Sequence, residues 1–172
     1  MSDRVTLRAA EADDEPFLRE VYASTRALEL ASVPWGAERK AQFCDMQFDA
    51  QDTDYRRNYP AAQFLIIVQA GTSIGRLYVD RRETEIHILD IALLPAHRGR
   101  GIGSRLLRDL QAEALASGKR VTIYVEKFNP ALHLYQRLGF RQIDDVGVYL
   151  LMEWLDAPRC DADEKGAAKP RA

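Results

Sequence analysis

Leu93-Leu94-Pro95-Ala96-His97-Arg98-Gly99-Arg100-Gly101-Ile102-Gly103-Ser104 is the stretch that decides the fold. An apolar run over residues 85–94 leads into it, and an amphipathic helical pattern leads out of it. Gly99, Gly101 and Gly103 alternate at the junction. Glycine has no Cβ, so its backbone can turn left-handed and approach a ligand closely. A helix that starts at such a turn presents unpaired N–H groups with the positive end of its dipole behind them. That is a seat for an anion, most often a phosphate. Arg98 and Arg100 add charge at its mouth. The plain alternative is a glycine-rich helix start with two solvated arginines.

Outward from this stretch the periodicities give the remaining elements. Ile102, Leu106, Leu107, Leu110, Ala114 and Leu115 form one helical stripe that Gly118 ends. Residues 121–125 are a short β-branched strand. Strand, helix and strand in this order imply a crossover, which sets the two strands parallel. Upstream, residues 4–8 read as a strand and residues 13–31 as a helix opened by Asp13, Asp14, Glu15 and Pro16. A weaker helix covers 37–54, and two strands, 63–69 and 74–80, make a meander with 85–94. Downstream, Asn129-Pro130 opens a short helix with Ala131, Leu134, Tyr135 and Leu138 on its apolar face, ended by Gly139. A last hairpin pairs 140–143 with 148–154 across Asp144-Asp145-Val146-Gly147. The order is β-α-α-β-β-β-α-β-α-β-β. This is an α/β fold of the α+β type: a mixed, mostly antiparallel sheet with a central parallel pair.

Composition narrows the function classes. The chain has 172 residues, which suits one domain, here 1–155, with a disordered tail expected over 156–172. A net charge of −2 gives no basic field for nucleic acid. Apolar runs fall short of the ~20 residues that cross a bilayer, and the charged residues 1–8 do not read as a signal peptide. Cys44 and Cys160 lie far apart, which argues against a disulfide or a metal site and suits a reducing cytoplasm.

Two motifs in register carry a resemblance. Arg98-x-x-Gly101-x-Gly103 resembles the acyl-CoA signature of the GNAT acetyltransferase superfamily. Asn129-Pro130-Ala131-Leu132-His133-Leu134-Tyr135-Gln136-Arg137-Leu138-Gly139-Phe140 is similar to that family's second signature, Asn-x-Ala-x-x-Leu-Tyr-x-x-x-Gly-Phe. The resemblance implies a GNAT-like fold and acetyl-CoA as co-substrate. It implies transfer of an acetyl group to a primary amine of a small molecule or peptide, by direct attack in a ternary complex. Backbone groups of Arg98, Gly99, Arg100, Gly101, Ile102, Gly103 and Ser104 would hold the pyrophosphate. Those of Ile91, Ala92 and Leu93, at a bulged strand end, would hold the pantetheine arm, with the Leu93 amide polarising the thioester carbonyl. Asn129 would reach the pantetheine or the adjoining backbone, and Tyr135 would protonate the departing thiolate.

Each role has a bland counterpart. Asn129 suffices as a helix cap, and core packing explains the Tyr135 ring. Many members of the family carry a glutamate on the long strand, eleven residues before the residue that opens the glycine motif. Counting back from Arg98 lands on His87, a candidate base or a hydrogen-bonded wall residue. Glu85 projects to the same face, and Glu126 is a weaker candidate. The family resemblance places Glu83, Glu85, Asp144 and Asp145 around the acceptor side, which implies a cationic acceptor. Two rivals stay open: a phosphate-binding transferase of another kind, and a non-catalytic acyl-CoA-binding or regulatory module. The oligomeric state is also open, a homodimer included.

Overall fold

The computed structural model of the chain describes residues 4–156, so all but the first residue of the expected tail lies outside it. The elements are β1 (Val5–Ala9), α1 (Glu15–Ala31), α2 (Ala37–Asn58), β2 (Gln63–Gln69), β3 (Thr72–Arg81), β4 (Glu85–Leu93), α3 (Ile102–Ser117), β5 (Arg120–Glu126), α4 (Leu132–Arg137), β6 (Arg141–Val146) and β7 (Tyr149–Trp154). They follow the order read from the sequence. The strands form one sheet, β1-β2-β3-β4-β5-β7-β6. Pairing is antiparallel except between β4 and β5, which α3 connects as a crossover.

Boundaries move where local chemistry overrides periodicity. α2 runs four residues past the expected end, supported by pairs one turn apart, Asp52 with Arg56 and Asp54 with Asn58. Ala70 and Gly71 both take positive φ, 49° and 79°, so the β2–β3 turn is two residues long and β3 starts at Thr72. α4 begins at Leu132, not at Asn129-Pro130. The last turn falls at Gly147-Val148, and Asp144 and Asp145 lie in the exposed edge strand β6.

The sheet has two covered faces. Ile86, Ile88, Ile123 and Val125 pack against Ile102, Leu106, Leu107 and Leu110 of α3 and against Tyr135 and Phe140. On the other face Ile66 and Tyr78 pack against Leu18 and Tyr22 of α1 and Cys44 and Phe48 of α2. No helix among the described residues is long and apolar enough to cross a membrane.

One irregularity positions the site. In the β3–β4 ladder Val79 pairs with Ile88 and Tyr78 with Asp90, which leaves Leu89 as a bulged extra residue. β4 pairs with β5 only through Glu85–Ile88, opposite Arg120–Ile123. Beyond the bulge the two strands part, and a wedge opens between residues 89–93 and 124–126.

Candidate functional site

The wedge leads to the start of α3. Gly99 and Gly101 adopt left-handed φ of 70° and 77°, the conformation that the motif's spacing calls for. Gly103 instead lies in the first helical turn, where a Cβ would meet only Leu134 at 3.9 Å. No side chain caps α3, and the first amide to bond back is that of Arg105, to the Gly101 carbonyl at 3.0 Å. The N–H groups of Ile102, Gly103 and Ser104 therefore have no protein partner among the described residues, and they point out of the helix end beside the wedge. Unpaired amides at a left-handed glycine turn fit a pyrophosphate. The two arginines of the turn differ. The Arg98 Nε donates to the Leu93 carbonyl at 2.8 Å and an Nη to Ser24 Oγ at 3.1 Å, so Arg98 ties the turn to β4 and α1. Arg100 is exposed.

Ile91 and Leu93 flank the wedge and turn their side chains to the α3 face, with Ala92 between them. Tyr135 reaches the same face from α4. It is 4% exposed, and its ring meets Phe140 edge-on at 5.7 Å. Burial, aided by the Asp90 carboxylate, raises its phenol well above the ordinary range. Asn129 accepts the Ala131 N–H at 2.9 Å and so closes a turn ahead of α4. Its side-chain amide donors have no partner among the described residues.

The opposite face of β4 carries the titratable groups. His87 is 4% exposed, with Nδ1 at 2.8 Å from Thr122 Oγ1. Its ring stacks on Tyr59, from just past α2, at 6.1 Å and meets the Tyr124 edge at 5.6 Å. Burial lowers its pKa and Arg82 adds to that, while Glu85 and Asp80 act in opposition. Burial works to raise Glu85, but a hydrogen bond from Arg82 and the charge of Arg120 outweigh it and hold the carboxyl below its usual value. The structure thus brings Glu85 and His87 together, as alternation predicts. It gives the other acids separate surroundings: Glu126 pairs with Arg26 at 3.1 Å, Asp145 with Lys127 at 2.7 Å, and Asp144 accepts the Asp145 N–H.

Sequence reading missed three residues here. Arg76, 2% exposed, pairs with Asp90 at the bulge, bonds Gln51 Oε1 at 2.8 Å and lies 4.9 Å from the Tyr78 ring centre. Tyr55 donates to the bulge carbonyl of Leu89 at 3.2 Å. Thr122 joins His87 to Glu85. A lone arginine inside the apolar run Ile74–Val79 was the available signal, since a buried guanidinium requires an acid.

Known proteins share this fold. Residues 24–140 match the Acetyltransferase (GNAT) family. The chain belongs to the GNAT acetyltransferase family. The GNAT chain is 30% identical over 118 residues to mycothiol acetyltransferase of Corynebacterium glutamicum, a stretch covering 67% of this chain. The match spans only 37% of that relative's length. Two solved structures share the fold. PaiA N-acetyltransferase from Thermoplasma acidophilum, in complex with coenzyme A, superposes with a TM-score of 0.65 at 20% identity, over 87% of this chain and 98% of that one. An acetyltransferase from Thermus thermophilus gives 0.62 at 20% identity, over 87% and 96%.

Proposed function

We propose that this GNAT chain transfers an acetyl group from acetyl-CoA to a primary amine of a small molecule or peptide, by direct attack in a ternary complex. The observation that carries the reading is the wedge between β4 and β5, opening at one end onto the unpaired amides of α3. Family membership and the coenzyme A complex of the Thermoplasma relative support the same co-substrate. Backbone groups from Arg98 to Ser104 take the pyrophosphate, and those of Ile91, Ala92 and Leu93 take the pantetheine arm, with Asn129 beside it.

The roles follow from which protons can move. An ammonium acceptor must lose a proton before its lone pair can attack the thioester carbonyl. His87, held neutral near pH 7 by burial, accepts it, directly or through water. Glu85 is engaged by two arginines and Thr122, and it supports His87 without taking that proton. Attack forms the C–N bond, the carbonyl electrons return, the C–S bond breaks to give a thiolate, and the proton still carried by the attacking nitrogen passes to that thiolate, leaving a neutral amide and free CoA. Tyr135, with a phenol raised above the ~8.5 of a free thiol, keeps its proton and serves the thiolate as a hydrogen-bond donor. Burial also raises the Cys44 thiol, which makes it a poor nucleophile and argues against an acetyl-enzyme.

The test is release of free CoA from acetyl-CoA across a panel of amines, with the acetamide identified by mass. Initial rates that intersect at a common point in double-reciprocal plots are expected. A chain that binds CoA but acetylates no amine of the panel, or one that accumulates an acetyl-enzyme, overturns the reading.

A further inference from the structure

We infer that Thr122 is a positioning residue that sets the tautomer of His87, leaving Nε2 as the atom that takes the acceptor's proton. The inference rests on His87 as the base proposed above, and it names a device that neither motif contains.

A count of hydrogens fixes the tautomer. Glu85 lies between Arg82, at 2.6 Å, and Arg120, at 3.2 Å, so its carboxyl is ionised and can only accept. Thr122 Oγ1 is 3.2 Å from Glu85 Oε2 and 2.8 Å from His87 Nδ1. A hydroxyl has one proton. Given to the carboxylate, the better acceptor, it leaves Oγ1 only lone pairs to offer His87. Nδ1 must then carry hydrogen, and the free lone pair sits on Nε2. That atom has no hydrogen-bond partner among the described residues, and it is left to meet the acceptor. Tyr59 and Tyr124 hold the ring on its face and edge. Gain of a proton at Nε2 leaves the chain from Nδ1 through Thr122 to Glu85 intact, so nothing has to rearrange as charge arrives.

The charged groups around the ring are few and act in both directions. Asp80 from β3 and Glu85 from β4 favour the imidazolium, and Arg82 from the connecting turn opposes it. Arg120 of β5 acts on Glu85, and Glu153 of β7 holds Arg120 in turn at 2.7 Å. Among the described residues, Thr122 is the one neutral link that passes the Glu85 charge to Nδ1.

Two measurements test this. The first needs no activity: ¹⁵N-detected imidazole spectra of the native chain at pH 7.5. The expected pattern is a protonated Nδ1 and an unprotonated Nε2 for His87; the opposite tautomer overturns the inference even if no variant folds. The second is kcat/KM against pH, with one verified amine, for Thr122→Val, Thr122→Ser and His87→Ala. Thr122→Val should lower kcat/KM by about 10–100-fold around neutrality, the usual scale for removing a partner that orients a histidine. Thr122→Ser should recover to within about threefold, because it keeps the hydroxyl. A merely packing threonine would give the reverse order, since valine keeps its shape. If His87→Ala leaves the profile unchanged, the base assignment falls and takes the relay's catalytic meaning with it. If His87→Ala is impaired and Thr122→Val is not, the relay alone falls.

Discussion

Gly75 offers the sharpest test of how the wedge is held open. It pairs with Leu93 at the end of β4. A Cβ placed there would lie 2.3 Å from the Ala92 carbonyl oxygen, 2.9 Å from Leu93 Cδ2 and 3.1 Å from Leu93 Cα. The first obstacle is backbone, which cannot swing aside as a side chain can. About 0.7 Å of movement is needed to reach the ~3.0 Å limit of real contacts, and it must come from the last residues of β4. Overpacking of this kind costs about 1–3 kcal/mol. For a domain of this size that lowers Tm by roughly 4–8 °C at the middle of the range. The same movement displaces Ala92 and Leu93, so CoA affinity should drop together with stability. A misplacement near 1 Å can itself cost ~10²-fold in rate. Differential scanning calorimetry and a CoA titration of Gly75→Ala measure both effects. Gly36→Ala is the control: its Cβ would meet no atom within 4 Å, and its φ of −66° suits any residue. Wild-type Tm and CoA affinity in Gly75→Ala would refute the account of β4 as a rigid wall of the wedge.

Three further outcomes follow from the geometry. Gly103→Ala should keep or raise Tm, since its methyl meets only Leu134 at 3.9 Å and alanine favours a helix by about 1 kcal/mol; titration should still show weakened CoA binding if the ligand, not the fold, requires that glycine. Tyr135→Phe should fold normally, because the hydroxyl has no protein partner among the described residues, and steady-state rates should show kcat down ~10²-fold or more with KM nearly unchanged. His87, whose pKa burial lowers, is neutral in the fold while its unfolded counterpart protonates near ~6.5. Its contribution is therefore constant above that pH and turns against folding as pH falls from there toward the folded pKa. Tm measured from pH 7.5 to 5 should fall less steeply in His87→Gln, whereas the lowered Glu85 acts only at more acid pH.

What is legible in the sequence and what is not divide along physical lines. The α3 stripe, the crossover and the parallel pair are legible because burial imposes a period that residue types reveal. Asp144 and Asp145 suggest a turn because acids are rare in strands, but β6 is an exposed edge, where they are tolerated and discourage pairing with other chains. The start of α4 is displaced from Asn129-Pro130 because Asn129 closes its own turn on Ala131 before the helix begins. The pair of Glu85 and His87 is visible from alternation alone. Thr122, Arg76 and Asp90 are not, since their roles depend on partners 35, 14 and 14 residues away in sequence, which only the sheet register brings together.

The extra residue at Leu89 acts on β4 as a change of parity. Up to position 87 the odd-numbered side chains look toward α1 and α2, and from position 90 onward the even-numbered ones do. One strand thereby writes two messages on each side: a titratable start and an acid on one, isoleucines and a leucine on the other. Deleting Leu89 would make the ladder regular and leave every later side chain on its present side, whereas pairing Leu89 into the ladder without a bulge would exchange the outlook of every residue after it, turning Asp90 into the apolar layer beneath α3 and exposing Ile91 to the titratable side. Counting along the chain from Arg98 back to His87 crosses this break, so the count finds a position without its side of the sheet. Any alignment of the strand with a relative must be kept in phase separately before and after that one residue.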